Sequence, residues 1–190
     1  MSEAKDVARS SRWIPLMIAL HWLCGFLLLV LLAVGWLMVH ARYGAAARFD
    51  MYQLHKSLGF LALPLFLVRG IVRAMTTSPK SAPMEVWERR SAKTAHLGLY
   101  LLSLISIFSG WLVVSSAIVA VPSRFFDLFV IPNIPGVSVA QFGCAQSLHF
   151  ISVWGLVALV FLHICAALKH HFVDGDAILT RMLPPTRWSR

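Results

Sequence analysis

The chain has 190 residues, of which 58% are hydrophobic and 13% are charged, and its mean hydropathy is +0.74. This composition excludes an ordinary soluble domain and indicates one integral membrane domain with nothing large outside it. The net charge of +9 comes from basic residues that flank apolar runs. Their position fits lipid headgroups and membrane topology and argues against nucleic acid as a partner.

Four apolar runs follow one another, and each exceeds the roughly 20 residues that cross a bilayer. The first is longer than the apolar core of a signal peptide, so we predict that it is retained as a span. Pro64 in the second run predicts a kink that membrane helices tolerate. The predicted fold is all-α, a four-helix membrane bundle forming a single domain, 1–190. The predicted spans cover about residues 13–39, 51–75, 94–121 and 146–173.

The longest connection, residues 122–145, lies between the third and fourth runs and is hydrophobic and rich in proline. Its aromatic residues are Phe125, Phe126 and Phe129. This composition predicts a short amphipathic piece and a loop on the membrane surface.

Lysine and arginine are distributed unevenly between the two sides of the membrane if the N-terminus lies inside. The inner side then holds thirteen of the 17: Lys5, Arg9, Arg12, Arg69, Arg73, Lys80, Arg89, Arg90, Lys93, Lys169, Arg181, Arg187 and Arg190. The outer side holds four: Arg42, Arg48, Lys56 and Arg124. Because cytoplasmic flanks carry the excess of Lys and Arg, we predict that both termini are cytoplasmic.

Two histidines, His149 and His163, lie fourteen residues apart in the last apolar run. A helix returns both to nearly the same face and separates them by about 21 Å along its axis, one near each edge of the hydrocarbon layer. Histidines inside a span are costly and usually functional. The topology places His21 at the depth of His163 and His55 at the depth of His149, so two pairs are expected.

Each histidine pair offers both axial ligands to a haem iron. We predict that His21 and His163 bind an inner haem of the b type and that His55 and His149 bind an outer one. A haem ligated by two histidines has no open coordination position and passes single electrons. Zinc is less suitable, because it needs three or four ligands clustered within bonding distance.

A glycine lies four residues after His21 and four residues after His55, at Gly25 and Gly59. That position is one turn along the helix on the same face as the ligand. Glycine there leaves room for a flat macrocycle, although glycines are also common as packing residues in membrane helices.

His96 and His40 belong to neither pair. His96 shares the inner depth with His21, and it is an alternative inner ligand or a contact to a haem propionate. His40 is expected to bond a serine or a carbonyl of a neighbouring helix, or to lie at the outer interface.

Arg69 and Arg73 lie one turn apart at the cytoplasmic end of the second run. They can belong to the basic inner flank, or one of them can pair with haem propionates or orient a quinone headgroup. His170 and His171 lie just beyond the inner haem level, where they can be snorkelling tail residues. Alternatively one of them, His170 by preference, supplies a hydrogen bond and a proton to a quinone carbonyl.

Five stretches of the sequence carry a resemblance to a known family: IALHWLCG (18–25), QLHKSLGF (53–60), LVRGIVR (67–73), AHLGLY (95–100) and SLHFISVWGLVALVFLHICAALKHHF (147–172). They resemble the bacterial four-helix cytochrome b561 proteins, and the likeness runs over nearly the whole chain. The resemblance implies the same two haem pairs as the depth argument, and it places the quinone contact on His170.

The activity implied by the resemblance is superoxide oxidation, in which superoxide is oxidised to oxygen on the periplasmic side of the inner membrane. Electrons then cross two haems b and reduce ubiquinone near the cytoplasmic side. An anionic substrate favours a basic approach. The outer side carries Arg42, Arg48, Lys56 and Arg124 against Asp50 and Asp127, a net charge of 4 − 2 = +2. Lys56 directly follows a predicted haem ligand and is the expected steering residue.

A second hypothesis makes the chain a cytochrome b electron-transfer subunit of a hydrogenase or dehydrogenase complex, with a periplasmic or membrane electron-transfer partner. The short polar termini favour the self-contained superoxide:quinone oxidoreductase, whose partners are lipid, quinone and superoxide. A transporter without haem is expected to show an internal repeat and carboxylates near the midplane. Here the eight acidic residues all lie in flanks or loops.

Overall fold

The structure is a computed structural model that describes residues 13–77, 79, 85–119 and 121–183. Its main elements are four long helices: α1 (Pro15–His40), α2 (Ala45–Met75), α3 (Val86–Ser115) and α4 (Phe142–Phe172). Each is long and apolar enough to cross a membrane, which confirms the predicted four-helix membrane fold. Six basic residues of the predicted inner flank lie outside the described residues: Lys5, Arg9, Arg12, Lys80, Arg187 and Arg190.

The helix limits differ from the limits of the apolar runs. Helix α1 begins with Pro15 in its first turn, where a missing N–H costs nothing. Helix α3 begins earlier than predicted, because Glu85 and Glu88 form a reciprocal cap on its first turn. Helix α2 runs from Ala45 to Met75 through Pro64. Polar residues thus extend α2 and α3 at their N-terminal ends beyond the apolar runs that were predicted as spans.

The interface between α3 and α4 is built on small residues. The Ser106 hydroxyl donates to the Ser152 hydroxyl across it, at 3.0 Å. A side chain on Gly98 would begin 2.8 Å from Cδ2 of Leu159, so only glycine allows this approach without a shift. Membrane helices associate through such close packing and interhelical hydrogen bonds. Helix α4, which carries two of the four paired histidines, is thereby held tightly against α3.

Helices α1 and α2 pack through an apolar cluster of Cys24, Leu27, Ala62 and Phe66. All four side chains are at most 7% exposed. The cluster occupies the middle of the bundle, between the depths of the two histidine pairs.

The connection between α3 and α4 forms a β-hairpin followed by a loop, and its place on the membrane surface stays a prediction. Strands β1 (Ser123–Phe125) and β2 (Phe129–Ile131) form an antiparallel hairpin, and a 3₁₀ turn at Val139–Gln141 leads into α4. The hairpin turn places Phe126 at φ 46° and Asp127 at φ 58°. The loop between the strands has three residues, 126–128, and the N–H of Leu128 donates to the carbonyl of Phe125 at 2.9 Å. The left-handed angles of such turns usually select Gly, Asn or Asp. Because a phenylalanine occupies the first of these positions, the sequence does not indicate the turn.

Candidate functional site

The four histidines at the two depths come together in two pairs. The ring centroids of His21 on α1 and His163 on α4 are 6.2 Å apart. Those of His55 on α2 and His149 on α4 are 6.5 Å apart. A metal ion bonded at about 2 Å to one nitrogen of each ring puts the ring centres about 6 Å apart. Both pairs thus have a spacing at which two histidines could hold one metal ion between them.

His149 is oriented by the backbone of α3. Its Nδ1 lies 2.9 Å from the carbonyl oxygen of Ser106 and 3.3 Å from the hydroxyl of Ser109. Because a carbonyl only accepts, Nδ1 donates the proton and Nε2 keeps its lone pair. Histidine ligands usually donate their second N–H in this way, which fixes the tautomer and the ring orientation. Sequence reasoning missed Ser106, since a backbone acceptor leaves no residue signature.

The two outer histidines each rest against a glycine of a neighbouring helix. A Cβ built on Gly35 of α1 would lie 3.1 Å from Cε1 of His55, and one on Gly110 of α3 would lie 3.1 Å from Cε1 of His149. Nδ1 of His55 is buried and has no hydrogen-bond partner among the described residues. The close approach of both rings depends on glycine at these positions.

Open space lies beside the glycines that the sequence places one turn from a ligand. A Cβ on Gly25 or on Gly59 would meet nothing within 4 Å. A flat macrocycle needs such space next to His21 and His55. Together with the ring spacing and the free Nε2 of His149, this shows that the residues present fit a haem at each pair.

Arg69 lies at the inner pair. Its Nη2 is 3.2 Å from Nδ1 of His21, and its guanidinium lies over the ring of Tyr100 at 5.0 Å. Its Nε is buried and has no hydrogen-bond partner. Buried donors are normally paired, so this atom suits an anionic group such as a haem propionate. Arg73 instead lies over the ring of Trp13 at 4.9 Å and donates to the carbonyl of Thr76.

The two unpaired histidines lie at different ends of the bundle. The His96 ring centroid is 5.4 Å from that of His163, so His96 lies at the inner pair as its depth predicts. His40 ends α1, where its ring stacks on Trp36 at 3.7 Å. Its Nδ1 bonds the Trp36 carbonyl of its own helix, so the expected partner on a neighbouring helix is wrong.

The hairpin is fastened to α2 around His55 and Lys56. The Gln53 amide donates to the carbonyl of Pro122 and accepts from the backbone N–H of Arg124, both at 3.0 Å. One turn along α2, the Ser57 hydroxyl donates to the carbonyl of Arg124 at 2.7 Å. It also accepts from the N–H of Phe126 at 3.0 Å. Two side chains of α2 thus bond the free edge of β1, and partly buried Lys56 lies between them in sequence.

His170 lies among acidic residues at the cytoplasmic end of α4. Its Nδ1 is 2.7 Å from Oδ2 of Asp176 and 3.0 Å from Oδ2 of Asp174. Since a carboxylate accepts, Nδ1 donates the proton. The only sequence signal for this contact was the spacing of the two acids, four and six residues after His170. His171, the next residue, contacts the ring of Phe172 instead.

Two further contacts close this end of the bundle. Lys169 bridges Asp174 at 2.8 Å and Glu88 of α3 at 3.1 Å. Glu88, His170 and Asp174 approach one another as metal ligands do. The Lys169 ammonium already supplies the positive charge there, so the cluster is an ion-pair network. The indole of Trp22, next to His21, donates to the carbonyl of Met182 at 2.6 Å, which brings the C-terminal segment onto α1.

Comparison with known proteins identifies the family of the chain. The chain matches the family model described as prokaryotic cytochrome b561 over residues 12–185. It is 34% identical over 166 residues to cytochrome b561 homolog 2 of Escherichia coli (strain K12), covering 87% of each chain. It is 28% identical over 181 residues to the probable superoxide oxidase CybB of Yersinia pestis, covering 90% of this chain and 96% of that protein. The chain therefore belongs to the prokaryotic cytochrome b561 family, as a b-type haem protein that transfers electrons in a bacterial membrane.

Proposed function

We propose that this chain holds two haems and moves single electrons across the inner membrane, from superoxide on the periplasmic side to ubiquinone near the cytoplasmic side. The observation that carries the proposal is the presence of two histidine pairs with similar ring spacing, 6.2 and 6.5 Å, at opposite ends of α4. His21 and His163 would hold the inner haem, and His55 and His149 the outer one. When bound, each haem would supply a carrier of single electrons.

The orientation rests on the charges of the described chain. Four basic residues lie at the proposed periplasmic ends: Arg42, Arg48, Lys56 and Arg124. Seven described basic residues lie at the proposed cytoplasmic ends: Arg69, Arg73, Arg89, Arg90, Lys93, Lys169 and Arg181. By the positive-inside rule, this distribution supports cytoplasmic termini and a periplasmic position of the pair of His55 and His149.

The choice of superoxide has two supports. The Yersinia relative is named a probable superoxide oxidase. The outer side also presents a cation next to a proposed ligand, since Lys56 follows His55. The other nearby cation, Arg124, is paired with Asp127 at 3.2 Å, which leaves Lys56 as the better steering charge.

The quinone site is assigned to the cytoplasmic end of α4. His170 is held by Asp176 and Asp174 through Nδ1, so Nε2 is the nitrogen that exchanges a hydrogen bond or a proton with a bound quinone. Reduction of a quinone to a quinol consumes two protons as well as two electrons, and the acids beside His170 connect the ring to the aqueous side.

The experiment that tests the function uses the chain purified in detergent. We expect a reduced-minus-oxidised spectrum and a haem-to-protein ratio that correspond to two b-type haems. Superoxide should reduce them rapidly, and added ubiquinone should reoxidise them. Two haems that are inert to superoxide would reject the proposed substrate and favour an electron-transfer subunit that works with a partner.

The haem ligands are tested by single substitutions. We expect His149→Ala and His55→Ala each to remove the outer haem and spare most of the inner one, because the pairs lie about 21 Å apart along α4. The measurement is the haem-to-protein ratio together with the spectrum. His40→Ala is the matched control and should retain both haems. Equal loss of the two centres in His149→Ala would contradict the pairing.

Lys56→Glu tests the steering of an anionic substrate. We expect it to slow reduction by superoxide roughly tenfold at low ionic strength, since a local charge raises or lowers encounter rates by such factors. The difference should shrink as salt shortens the Debye length to about 8 Å at physiological strength. Arg42→Glu, on the same side but far from His55 in sequence, is the control and should have the smaller effect. An unchanged rate at low salt would reject the role of Lys56.

His170→Ala tests the quinone site. We expect reoxidation of the reduced chain by ubiquinone to slow at least tenfold, because the hydrogen bond and the proton at Nε2 are lost, while both haems stay bound. Stopped-flow spectra of the haem bands measure this rate. His171→Ala removes the adjacent imidazole and should leave the rate close to that of the unmodified chain. Full-rate reoxidation in His170→Ala would place the quinone elsewhere.

A further inference from the structure

The two histidine pairs differ in the charges around them. At the inner pair, Arg69 touches His21, and its positive charge also acts on His163 and His96. Its guanidinium stays charged at any physiological pH. It is anchored over the Tyr100 ring and partly withdrawn from water. In such an environment a charge acts more strongly than it does in bulk water.

The outer pair has a carbonyl oxygen as its polar neighbour instead. His149 donates to the carbonyl of Ser106, whereas Nδ1 of His55 is buried without a hydrogen-bond partner among the described residues. Among the described residues, no arginine or lysine acts on these two rings as Arg69 acts on the inner ones. Lys56 follows His55 directly, but consecutive residues of a helix do not face each other.

The surroundings of the two histidine pairs have opposite effects on the reduction potential of an iron held there. A carbonyl that accepts the second N–H makes the imidazole a more basic ligand, which favours the oxidised and more positive iron. A nearby cation opposes that positive charge and favours the reduced iron. We propose that Arg69 makes the inner histidine pair the site of higher reduction potential, and so directs electrons from the outer pair to the inner pair. This inference rests on the proposed haem sites.

Arg69 would raise the reduction potential of the inner site also after its contact with His21 is broken by haem binding. An arginine only donates, so Nδ1 of His21 accepts in the present contact. Ligation through Nε2 would require the proton on Nδ1, and two donors would then face each other. The Arg69 guanidinium would then donate to another acceptor, and a bound haem would offer its propionates as acceptors. Pairing with a propionate neutralises a negative charge that otherwise lowers the potential, so Arg69 raises it in either arrangement.

The step that Arg69 biases is the transfer of one electron. The outer centre is oxidised and the inner centre is reduced, and no bond forms or breaks. The equilibrium between the two centres depends only on the difference of their potentials, and a tenfold change in its constant is 59 mV for one electron.

The experiment is a potentiometric titration followed by haem spectra. His149→Ala leaves the inner haem alone and His21→Ala leaves the outer haem alone, so each potential is measured by itself. We expect the inner potential to be the higher one. Arg69→Gln, made in the His149→Ala chain, should lower it by at least 59 mV, a tenfold change. Arg69→Lys, which keeps the charge, should retain most of the wild-type value.

Arg73→Gln is the matched control. Arg73 lies one turn along α2, and its guanidinium contacts Trp13 and the Thr76 carbonyl. Its charge acts on His96 but, unlike that of Arg69, not on His21 or His163. Its removal should shift the inner potential by much less than the removal of Arg69.

Two outcomes would overturn the proposal. One is an inner potential that stays unchanged in Arg69→Gln with haem bound. The other is an outer potential above the inner one in the otherwise unmodified chain, which decides the matter even if Arg69→Gln binds no inner haem. A chain that is inert to superoxide would overturn the proposed substrate and leave the order of the potentials standing.

Discussion

An imidazole inside a bilayer needs a partner for each of its nitrogens, because an unpaired polar group in hydrocarbon is costly. His149 shows how the bundle meets this requirement: its Nδ1 donates to the Ser106 carbonyl, and its ring lies 6.5 Å from that of His55. A carbonyl with a spare lone pair is available in every turn of a helix, but the second nitrogen needs something that the protein does not supply. The proposed haems would supply this second partner at both depths. The helices are arranged so that the histidines of each pair come together.

The close contact of α3 with α4 is what keeps His149 at its acceptor. Small residues such as Ser106, Ser152 and Gly98 let the two backbones approach, and the hydroxyl pair ties them together. Gly110 lies on the same side of α3 and leaves room for the imidazole. Packing and ligand orientation therefore depend on the same small side chains, and a larger residue in this seam would displace the ring as well as the helix.

Some parts of this site follow from sequence, and others do not, for physical reasons. The depths of His149 and His163 follow from the rise of a helix and the thickness of a bilayer, which are nearly constant. The contact of His55 with Gly35 depends on how α1 and α2 are rotated about their axes relative to each other. No local sequence pattern encodes that rotation. The hairpin was missed because its turn is Phe126-Asp127 instead of a glycine pair. Hydropathy also placed the start of α3 too late, at about residue 94 instead of Val86, because polar capping residues such as Glu85 and Glu88 do not raise it.

The attachment of the hairpin has a consequence for how the outer surface can change between relatives. Gln53 and Ser57 bond only backbone atoms of β1 and its neighbours, never a side chain of that strand. Residues such as Arg124 and Asp127 can therefore be exchanged without detaching the hairpin from α2. The helices that hold the histidine pairs and the side chains on the hairpin surface are therefore separable under mutation, so that surface can change while the placement of the histidines is retained.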